Sequence, residues 1–509
     1  MELSSLTILI PAKDEEKRLP SFLETVILFA QKFSRPTEII VINDGSQDQT
    51  PHIVRSFQNQ YDELKLINFP TNRGKGYALK QGMFAAKGEV IVFLDADGST
   101  PVDEINRHLH LLKKGFDIII GSRVLADNHT QVKVRTHRKW IGKTFNALVH
   151  LLLIKDIQDT QCGFKMFKRS IVHNLFGRLY LDGFGADLEI LYVAKQLGLS
   201  IKEVAVNWHH VDGSKVNLIK DSLEMLNNIF QIKSWHPMKL TYPSPHMSIN
   251  EIKTMARVED RHWWFIAKSI FMKKILACLP RPRKTLDAGC GTGSNAQFLR
   301  KTDDYVGVDA IKEALLYSQR RQLPNLIQSD LKQLGFKDNS FDRIVCLDVI
   351  EHIDDDRQAL NELKRLLSPH GTLILAVPAF RNMFSSHDIA LSHMRRYNRQ
   401  DLNNLIKDCD LDIQEVSYAF AFAFLPAYLW RRLQRLFPFK KEIKSDTHSM
   451  PPAFLNSLLI RLSKAEAVLK KFLPLPFGTT LIAIIRKKAS PAHTERLLDH
   501  KQPLVEEFV

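Results

Sequence analysis

Glu89-Val-Ile-Val-Phe-Leu-Asp-Ala-Asp97 and Thr285-Leu-Asp-Ala-Gly-Cys-Gly-Thr-Gly293 are two apolar strand candidates that end in different polar turns. Two aspartates one residue apart at a strand end can reach a hard cation that bridges phosphates. A glycine-rich turn lets backbone approach a small cofactor closely. Each stretch lies inside its own alternation of strand and helix patterns. Around the first, Leu6–Ile10, Glu38–Ile42, Leu64–Phe69, Glu89–Leu94, Asp117–Ile120 and Ile201–Trp208 read as strands, and Leu218–Ile232 as an amphipathic helix. Around the second, one helix near Ile252–Leu279 precedes strands at Thr285–Ala288, Tyr305–Val308, Asn325–Gln328, Asp342–Leu347, Thr372–Val377, Leu411–Tyr418 and Thr480–Ile485. Such alternation implies mostly parallel sheets covered by helices, so the fold class is α/β, two doubly wound domains in tandem.

The boundaries expected are 1–235 for the first domain, 236–250 for a proline-rich linker and 251–488 for the second domain. An amphipathic insertion spans about 419–477, and 489–509 reads as a disordered tail. A chain of 509 residues with 44% hydrophobic and 25% charged residues can bury two cores. The five cysteines are scattered without metal-ligand spacing, which argues for a reducing compartment and against both a disulfide framework and a zinc site. No signal peptide and no run of about 18 uncharged apolar residues is visible, so a cytoplasmic protein is expected.

The net charge is +15, and from Arg431 to Lys488 thirteen Lys or Arg face only Glu442, Asp446 and Glu466, a local net of +10. Just before lies Tyr418-Ala-Phe-Ala-Phe-Ala-Phe-Leu-Pro-Ala-Tyr-Leu-Trp430, without a charge. Apolar and aromatic runs interleaved with basic residues suit a segment lying on an anionic membrane surface, at the cytoplasmic face. A helical cap with a solvated basic face is the alternative. Nucleic acid, the other partner of positive charge, is not expected beside such aromatic runs.

In doubly wound sheets ligands collect at the carboxyl ends of strands. Four polar clusters fall there: Pro11-Ala-Lys-Asp-Glu15, Asn43-Asp44-Gly45-Ser46, Asp95-Ala96-Asp97 and Gly121-Ser122-Arg123. Asp44 can accept hydrogen bonds from a base or ribose, and Asp95 and Asp97 can hold a metal. With Asn72-Arg-Gly-Lys-Gly76, Asp159-Thr-Gln-Cys-Gly-Phe-Lys165, Val206-Asn-Trp208 and Gly213-Ser-Lys215, this set resembles the family 2 glycosyltransferases with a GT-A-like fold, in particular the dolichyl-phosphate β-glucosyltransferase branch. The resemblance implies a nucleotide-sugar donor (UDP-glucose favoured), Mg2+ or Mn2+ and inversion at the anomeric carbon. It places Pro11, Glu15, Asp44, Lys75 and Asp95 on the donor, and Arg123 and Arg138 at the acceptor phosphate with Gln161 close by. Asp14 departs from the family's usual Asn, and no counterpart of the N-terminal membrane helix of the eukaryotic glucosyltransferases is expected.

A lipid phosphate is already largely ionised at neutral pH and needs a guanidinium clamp. A sugar hydroxyl needs a general base. Asp187 or Glu189 would be that base for a hydroxyl acceptor; an ion-paired helix start is the structural alternative. A polyprenyl phosphate is the expected acceptor, a hydroxyl in surface polysaccharide synthesis the alternative.

In the second half Asp287, Gly289, Gly291 and Gly293 are followed by Asp309, by Ser329-Asp330-Leu331 and by Asp348-Val-Ile-Glu-His352, each at a strand end. The glycines are spaced Gly-x-Gly-x-Gly, unlike the nicotinamide-binding Gly-x-Gly-x-x-Gly. The series resembles the class I S-adenosylmethionine-dependent methyltransferases. Arg261-His-Trp-Trp-Phe265 and His387-Asp388 with His393-Met-Arg-Arg-Tyr397 resemble a subset of them. By resemblance, Asp287 and the glycines shape the S-adenosyl-L-methionine loop, Asp309 holds the ribose, and Asp330 with Leu331 meets the adenine. An oxygen acceptor would benefit from a base, for which His352, His387 and His393 are candidates. The expectation is a bifunctional enzyme. Its alternatives are a scaffold-only second domain and a basic membrane or nucleic-acid adaptor, and the oligomeric state stays open.

Overall fold

The computed structural model describes residues 4–127, 130–133, 149–150, 152–211, 218–237, 247–299, 304–436, 445–447, 449–470 and 475–488. The chain divides into two compact units, Met1–Tyr242 and Pro243–Val509.

The first unit contains β1 (Leu6–Ala12), β2 (Thr37–Asp44), β3 (Leu64–Phe69), β4 (Val90–Leu94), β5 (Ile118–Ser122), β6 (Val132–Lys133), β7 (Phe164–Lys168), β8 (Ile201–Ala205) and β9 (Trp208–His209). Seven of them form a sheet in the order β3-β2-β1-β4-β7-β5-β8, and β6 pairs with β9. Its central strands are apolar on both faces, as a sheet covered on both sides requires: Ile8, Leu9 and Ile10 of β1, and Ile91, Val92 and Phe93 of β4, are fully buried. Since β1, β2, β4 and β5 run the same way, their carboxyl ends share one edge.

β7 corrects the sequence reading, which has no strand at Phe164–Lys168. It runs antiparallel between β4 and β5. The lysine in Phe164-Lys-Met-Phe-Lys168 breaks the apolar run, yet Lys165 is fully buried because Asp187 accepts from its ammonium. A buried ion pair therefore hides a central strand from a hydrophobicity reading.

The second unit contains β10 (Lys284–Ala288), β11 (Asp304–Asp309), β12 (Leu326–Gln328), β13 (Phe341–Leu347), β14 (Leu367–Pro378), β15 (Leu411–Ala419) and β16 (Thr480–Lys487). The order is β12-β11-β10-β13-β14-β16-β15, with β16 alone antiparallel to its neighbours. This is a methyltransferase-like Rossmann arrangement, and the first sheet is GT-A-like.

The single helix expected near Ile252–Leu279 is two helices, Ile249–Val258 and Trp263–Ala277. His262 ends the break by accepting from Trp264 N, as a cap on the second helix. Behind that cap Trp264 packs 4.7 Å from Phe420, and Asn456 Oδ1 accepts from Trp263 N at 2.8 Å. The Arg261–Phe265 motif thus ties the domain's first helices to the segment between β15 and β16. That segment holds helices Ala421–Leu436 and Ala453–Leu469. Among the described residues no helix is long and apolar enough to cross a membrane.

Candidate functional sites

At the shared strand edge of the first unit, β4 delivers Asp95 and Asp97. Lys75, at the start of the helix Lys75–Ala85, places Nζ 3.0 Å from Asp95 Oδ1 and 3.4 Å from Asp187 Oδ2. Lys165 from β7 closes the chain with Asp187 Oδ1 at 2.5 Å. Two lysines thus alternate with two aspartates. Burial opposes the charge on Lys75, but Asp187 and Asp95 more than offset it and hold its ammonium above the ordinary lysine range. Burial likewise opposes the charge on Asp187, and Lys165 and Lys75 overcome it, keeping that carboxyl below the usual range.

Asp97 accepts from Ser99 N at 2.9 Å and lies 4.0 Å from the Arg18 guanidinium, which is itself paired with Glu15. The side chains of Asp95 and Asp97 are 39% and 27% exposed, so each keeps oxygen surface open toward the edge. Hard, partly exposed carboxylates suit a hard divalent cation. Gly163 makes room for them: a Cβ there would stand 1.9 Å from Asp95 Oδ2. The glycine of Asp159-Thr-Gln-Cys-Gly-Phe-Lys165 is therefore the floor under Asp95.

Asp44 is buried, and its two oxygens accept from Arg73 N at 2.6 Å and Gly74 N at 2.8 Å. It fixes the loop that presents Lys75. Pro11 is the penultimate residue of β1, and Glu15 N donates to Thr50 Oγ1 at 2.7 Å. Asp14 adopts φ +49°, donates its own N–H to Ser46 and accepts from Gln47 N.

Arg123, at the end of β5, forms a fork with Asp159 at 2.7 and 2.8 Å and leans over the Trp208 ring. Asp159 in turn accepts from Arg123 N, and its own N–H donates to Glu203. The guanidinium is fixed in direction yet remains one-third exposed. Gln161 Nε2 donates to Met225 Sδ at 2.9 Å. Arg138 and Gly213–Lys215 lie outside the described residues. Glu189 is not brought to this cluster: it is fully buried and accepts from Tyr180 N, Leu181 N and His236.

In the second unit the turn after β10 carries Gly289 at φ +79°, Gly291 at φ +55° and Gly293 at φ +87°. Gly289 also faces a close neighbour, since a Cβ would meet Val349 at 2.3 Å. Asp309 binds the turn by accepting from Gly291 N at 2.9 Å and Ile311 N at 2.8 Å. Thr292 donates to Glu259, which pairs with Arg321. Asp287 is fully buried beneath the turn, accepting from Tyr305 Oη at 3.0 Å and Asn295 Nδ2 at 3.3 Å. Burial pushes its carboxyl up to about 7.

Asp330 is largely exposed and accepts from Lys332 N, whereas Leu331 belongs to the buried core. Asp348, at φ +55°, is paired with Lys268. Of the three histidines, His352 and His393 meet edge to face with ring centroids 4.7 Å apart. His387 Nδ1 instead accepts from Asp446 N, and its ring centroid is 6.1 Å from that of His393. Burial pushes His352 down to about 3 and His387 to about 4.

The geometry also shows what the sequence reading missed. Lys165 and Gly163 sit in a quoted motif, but their work depends on Asp187 and Asp95, distant in sequence. Glu351 stands beside His352, and nothing local in the sequence marks it as buried.

A glycosyl transferase family 2 model matches residues 7–176, and a methyltransferase domain model matches residues 286–375. The dolichyl-phosphate β-glucosyltransferase of Dictyostelium discoideum is 37% identical over 240 residues, covering 45% of this chain and 73% of that protein. That of Drosophila melanogaster is 35% identical over 240 residues, covering 45% and 74%. The solved glucosyl-3-phosphoglycerate synthase of Mycobacterium tuberculosis superposes with a TM-score of 0.36 at 19% identity, covering 45% of this chain and 80% of that one.

Proposed function

The chain belongs to the family 2 glycosyl transferases, beside the dolichyl-phosphate β-glucosyltransferases, with a methyltransferase domain behind, and we propose that its first domain transfers glucose from UDP-glucose to a polyprenyl phosphate with inversion. The observation that carries this reading is the state of the two carboxylates that would serve a hydroxyl acceptor. Asp187 is clamped between Lys75 and Lys165, and Glu189 is sealed under three hydrogen bonds. Neither is placed to take a proton. The site therefore fits a nucleophile that arrives ionised, as a phosphate does.

Arg123, held in direction by Asp159, offers that phosphate a fixed guanidinium, and Arg138 is its proposed partner. Asp95 and Asp97 would hold Mg2+ or Mn2+, whose charge neutralises a departing diphosphate. Lys75, paired with Asp95, holds that carboxylate in place. Pro11, Glu15 and Asp44 line the donor side of the same edge.

The second domain is assigned to methyl transfer from S-adenosylmethionine, a sulfonium that supplies an already activated methyl group. The protein's part is alignment and exclusion of water. The Gly289–Gly293 turn would face the cofactor, Asp309 would hold the ribose, and Asp330 with Leu331 would meet the adenine. The proposed methyl acceptor is a sugar or lipid-linked glycan of the same pathway, reached more often because the two sites share one chain.

Support for a membrane location comes from the segment between β15 and β16. Leu425, Leu429 and Leu433 recur every four residues on one helix, and Phe454, Leu458 and Leu462 do so on the next. All six are exposed, Phe454 to 76%. A four-residue spacing gathers apolar groups on one side of a helix, and basic residues nearby suit anionic headgroups. Flotation with anionic vesicles tests this placement; protein that never floats refutes it.

The central test incubates the protein with membranes and a panel of labelled sugar nucleotides, then extracts lipid. Label is expected in the polyprenyl fraction with UDP-glucose and a divalent cation. Label confined to polysaccharide would instead select the hydroxyl acceptor.

A further inference from the structure

Glu351 breaks the usual rule for buried polar groups. It lies in the short helical turn Ile350–His352, straight after β13, and is fully buried. Among the described residues neither carboxylate oxygen has a hydrogen-bond partner. Ionised or protonated, a carboxyl group in that state is costly, and natural structures seldom tolerate two orphaned oxygens on one residue.

Two imidazoles stand beside it. His393 Nε2 is 3.9 Å from Glu351 Oε1, and one ligand atom from each of Glu351, His352 and His393 lies within 4.8 Å of the others. The far side of His393 is organised as metal-bound histidines are: its Nδ1 is 2.9 Å from Asp388 Oδ1, and Arg396 Nε donates to the same oxygen at 2.7 Å. A carboxylate on Nδ1 fixes the ring and directs Nε2 toward Glu351. Met394 N donates to the Glu351 carbonyl at 2.8 Å, tying the two loops together. Backbone groups of Ser392 and Asp348 hydrogen-bond the His352 ring and fix its orientation.

We propose that Glu351, His352 and His393 form a divalent metal site of the second domain, taking a borderline transition ion such as Zn2+. Two nitrogens and one carboxylate oxygen match that ion better than Mg2+ or Ca2+, which prefer all-oxygen shells. Bonds of about 2.0–2.2 Å would draw the three atoms closer by about an ångström, within reach of side-chain rotation. Three protein ligands leave a fourth position for an oxygen ligand, a water or an acceptor hydroxyl. Val349, two residues before Glu351, touches Gly289 of the cofactor turn, so the ion would stand near the methyl donor. That role rests on the methyltransferase reading; the site itself does not.

The experiment uses the full chain carrying Asp97→Ala, so that the first domain's proposed cation site is removed, stripped with chelator and free of nucleotide. Co2+ is titrated in and followed by visible absorption, and Zn2+ is then added as competitor. One equivalent with the intense bands of a four- or five-coordinate ion is expected, bleached by Zn2+. In the same background Glu351→Gln and His393→Ala should weaken binding at least about 100-fold, and Asp388→Asn about 10- to 100-fold through the orientation of His393. Circular dichroism and the heat of S-adenosylmethionine binding report whether each variant stays folded. Absence of Co2+ binding at micromolar concentration, or unchanged affinity in folded Glu351→Gln and His393→Ala, overturns the proposal. Metal binding without any S-adenosylmethionine binding would leave the site standing and remove the methyltransferase reading instead.

Discussion

Asp187 of the first unit and Asp287 and Glu351 of the second are buried in different ways. In the first unit two buried acids at the site are paired with cations, Asp187 with Lys75 and Lys165 and Asp159 with Arg123, while Asp44 is held by backbone N–H groups. In the second unit Asp287 and Glu351 are equally buried, yet the hydrogen bonds to Asp287 come from neutral groups and Glu351 has none among the described residues. The consequence is a difference in charge. The Lys165 and Lys75 ammoniums hold Asp187 low against its burial, whereas burial drives Asp287 and Glu351 upward. A site built from internal ion pairs is ready for a dianionic diphosphate and its metal. A site of uncompensated carboxyls suits a ligand that brings its own positive charge, as a sulfonium or a metal ion does.

The largest expected effect tests the cation-bearing half. Asp97→Ala should lower hexose transfer to lipid about 1000-fold or more, since several kcal/mol of charge stabilisation would be lost at the departing diphosphate. Label extracted into the polyprenyl fraction measures it, with S-adenosylmethionine binding unchanged as the internal control. Undiminished transfer would remove the metal role of the Asp-x-Asp pair.

The next effect concerns stability against pH in the other half. The carboxyl of Asp287 moves from an ordinary 3.8 to about 7 on folding because burial disfavours its charge. The folded chain then holds the proton more tightly than the unfolded one. The neutral group contributes its full stabilisation below about pH 4, and that is lost as pH rises toward 7. Asp287→Asn, neutral throughout, should become more stable than the native chain by about 3 kcal/mol over that interval. Urea titrations at pH 4.5 and 7.5 decide it. A pH-independent difference would mean that Asp287 ionises freely.

These contrasts also explain what could be read from the sequence. Strand ends such as Asp95-Ala96-Asp97 and the Gly289–Gly293 turn are local, so period and punctuation reveal them. Leu64–Phe69 even coincides with β3 residue for residue. Features that failed to show depend on partners far along the chain. β7 was hidden by Lys165, whose charge is acceptable only because Asp187 faces it. The break at Glu259–His262 was hidden because apolar periodicity resumes across it, and the His262 cap carries no strong sequence signal. Glu351 looks like an ordinary acid beside a histidine until packing buries it. A long-range ion pair, as at Lys165, and burial by distant packing, as at Glu351, are information that a hydrophobicity pattern cannot carry.

Two smaller effects sharpen the comparison from within each site. Gly163→Ala places a methyl 1.9 Å from Asp95 Oδ2, so the carboxylate must move. A displacement of about an ångström is expected to cost about 100-fold in hexose transfer while the fold persists, because positioning is what the metal-bearing pair supplies. Full activity in a folded variant would show that Asp95 has slack. The smallest effect belongs to Asp309. Its oxygens accept from Gly291 N and Ile311 N, and a ribose hydroxyl is expected to share one of them. Asp309→Asn keeps the shape, retains one carbonyl acceptor and replaces the other oxygen with a donor. It should lose one charge-assisted hydrogen bond, worth about 1.5 kcal/mol, and weaken S-adenosylmethionine binding by about tenfold in a calorimetric titration. A much larger loss would show that Asp309 acts chiefly by shaping the glycine turn, and unchanged affinity would take the ribose away from it altogether.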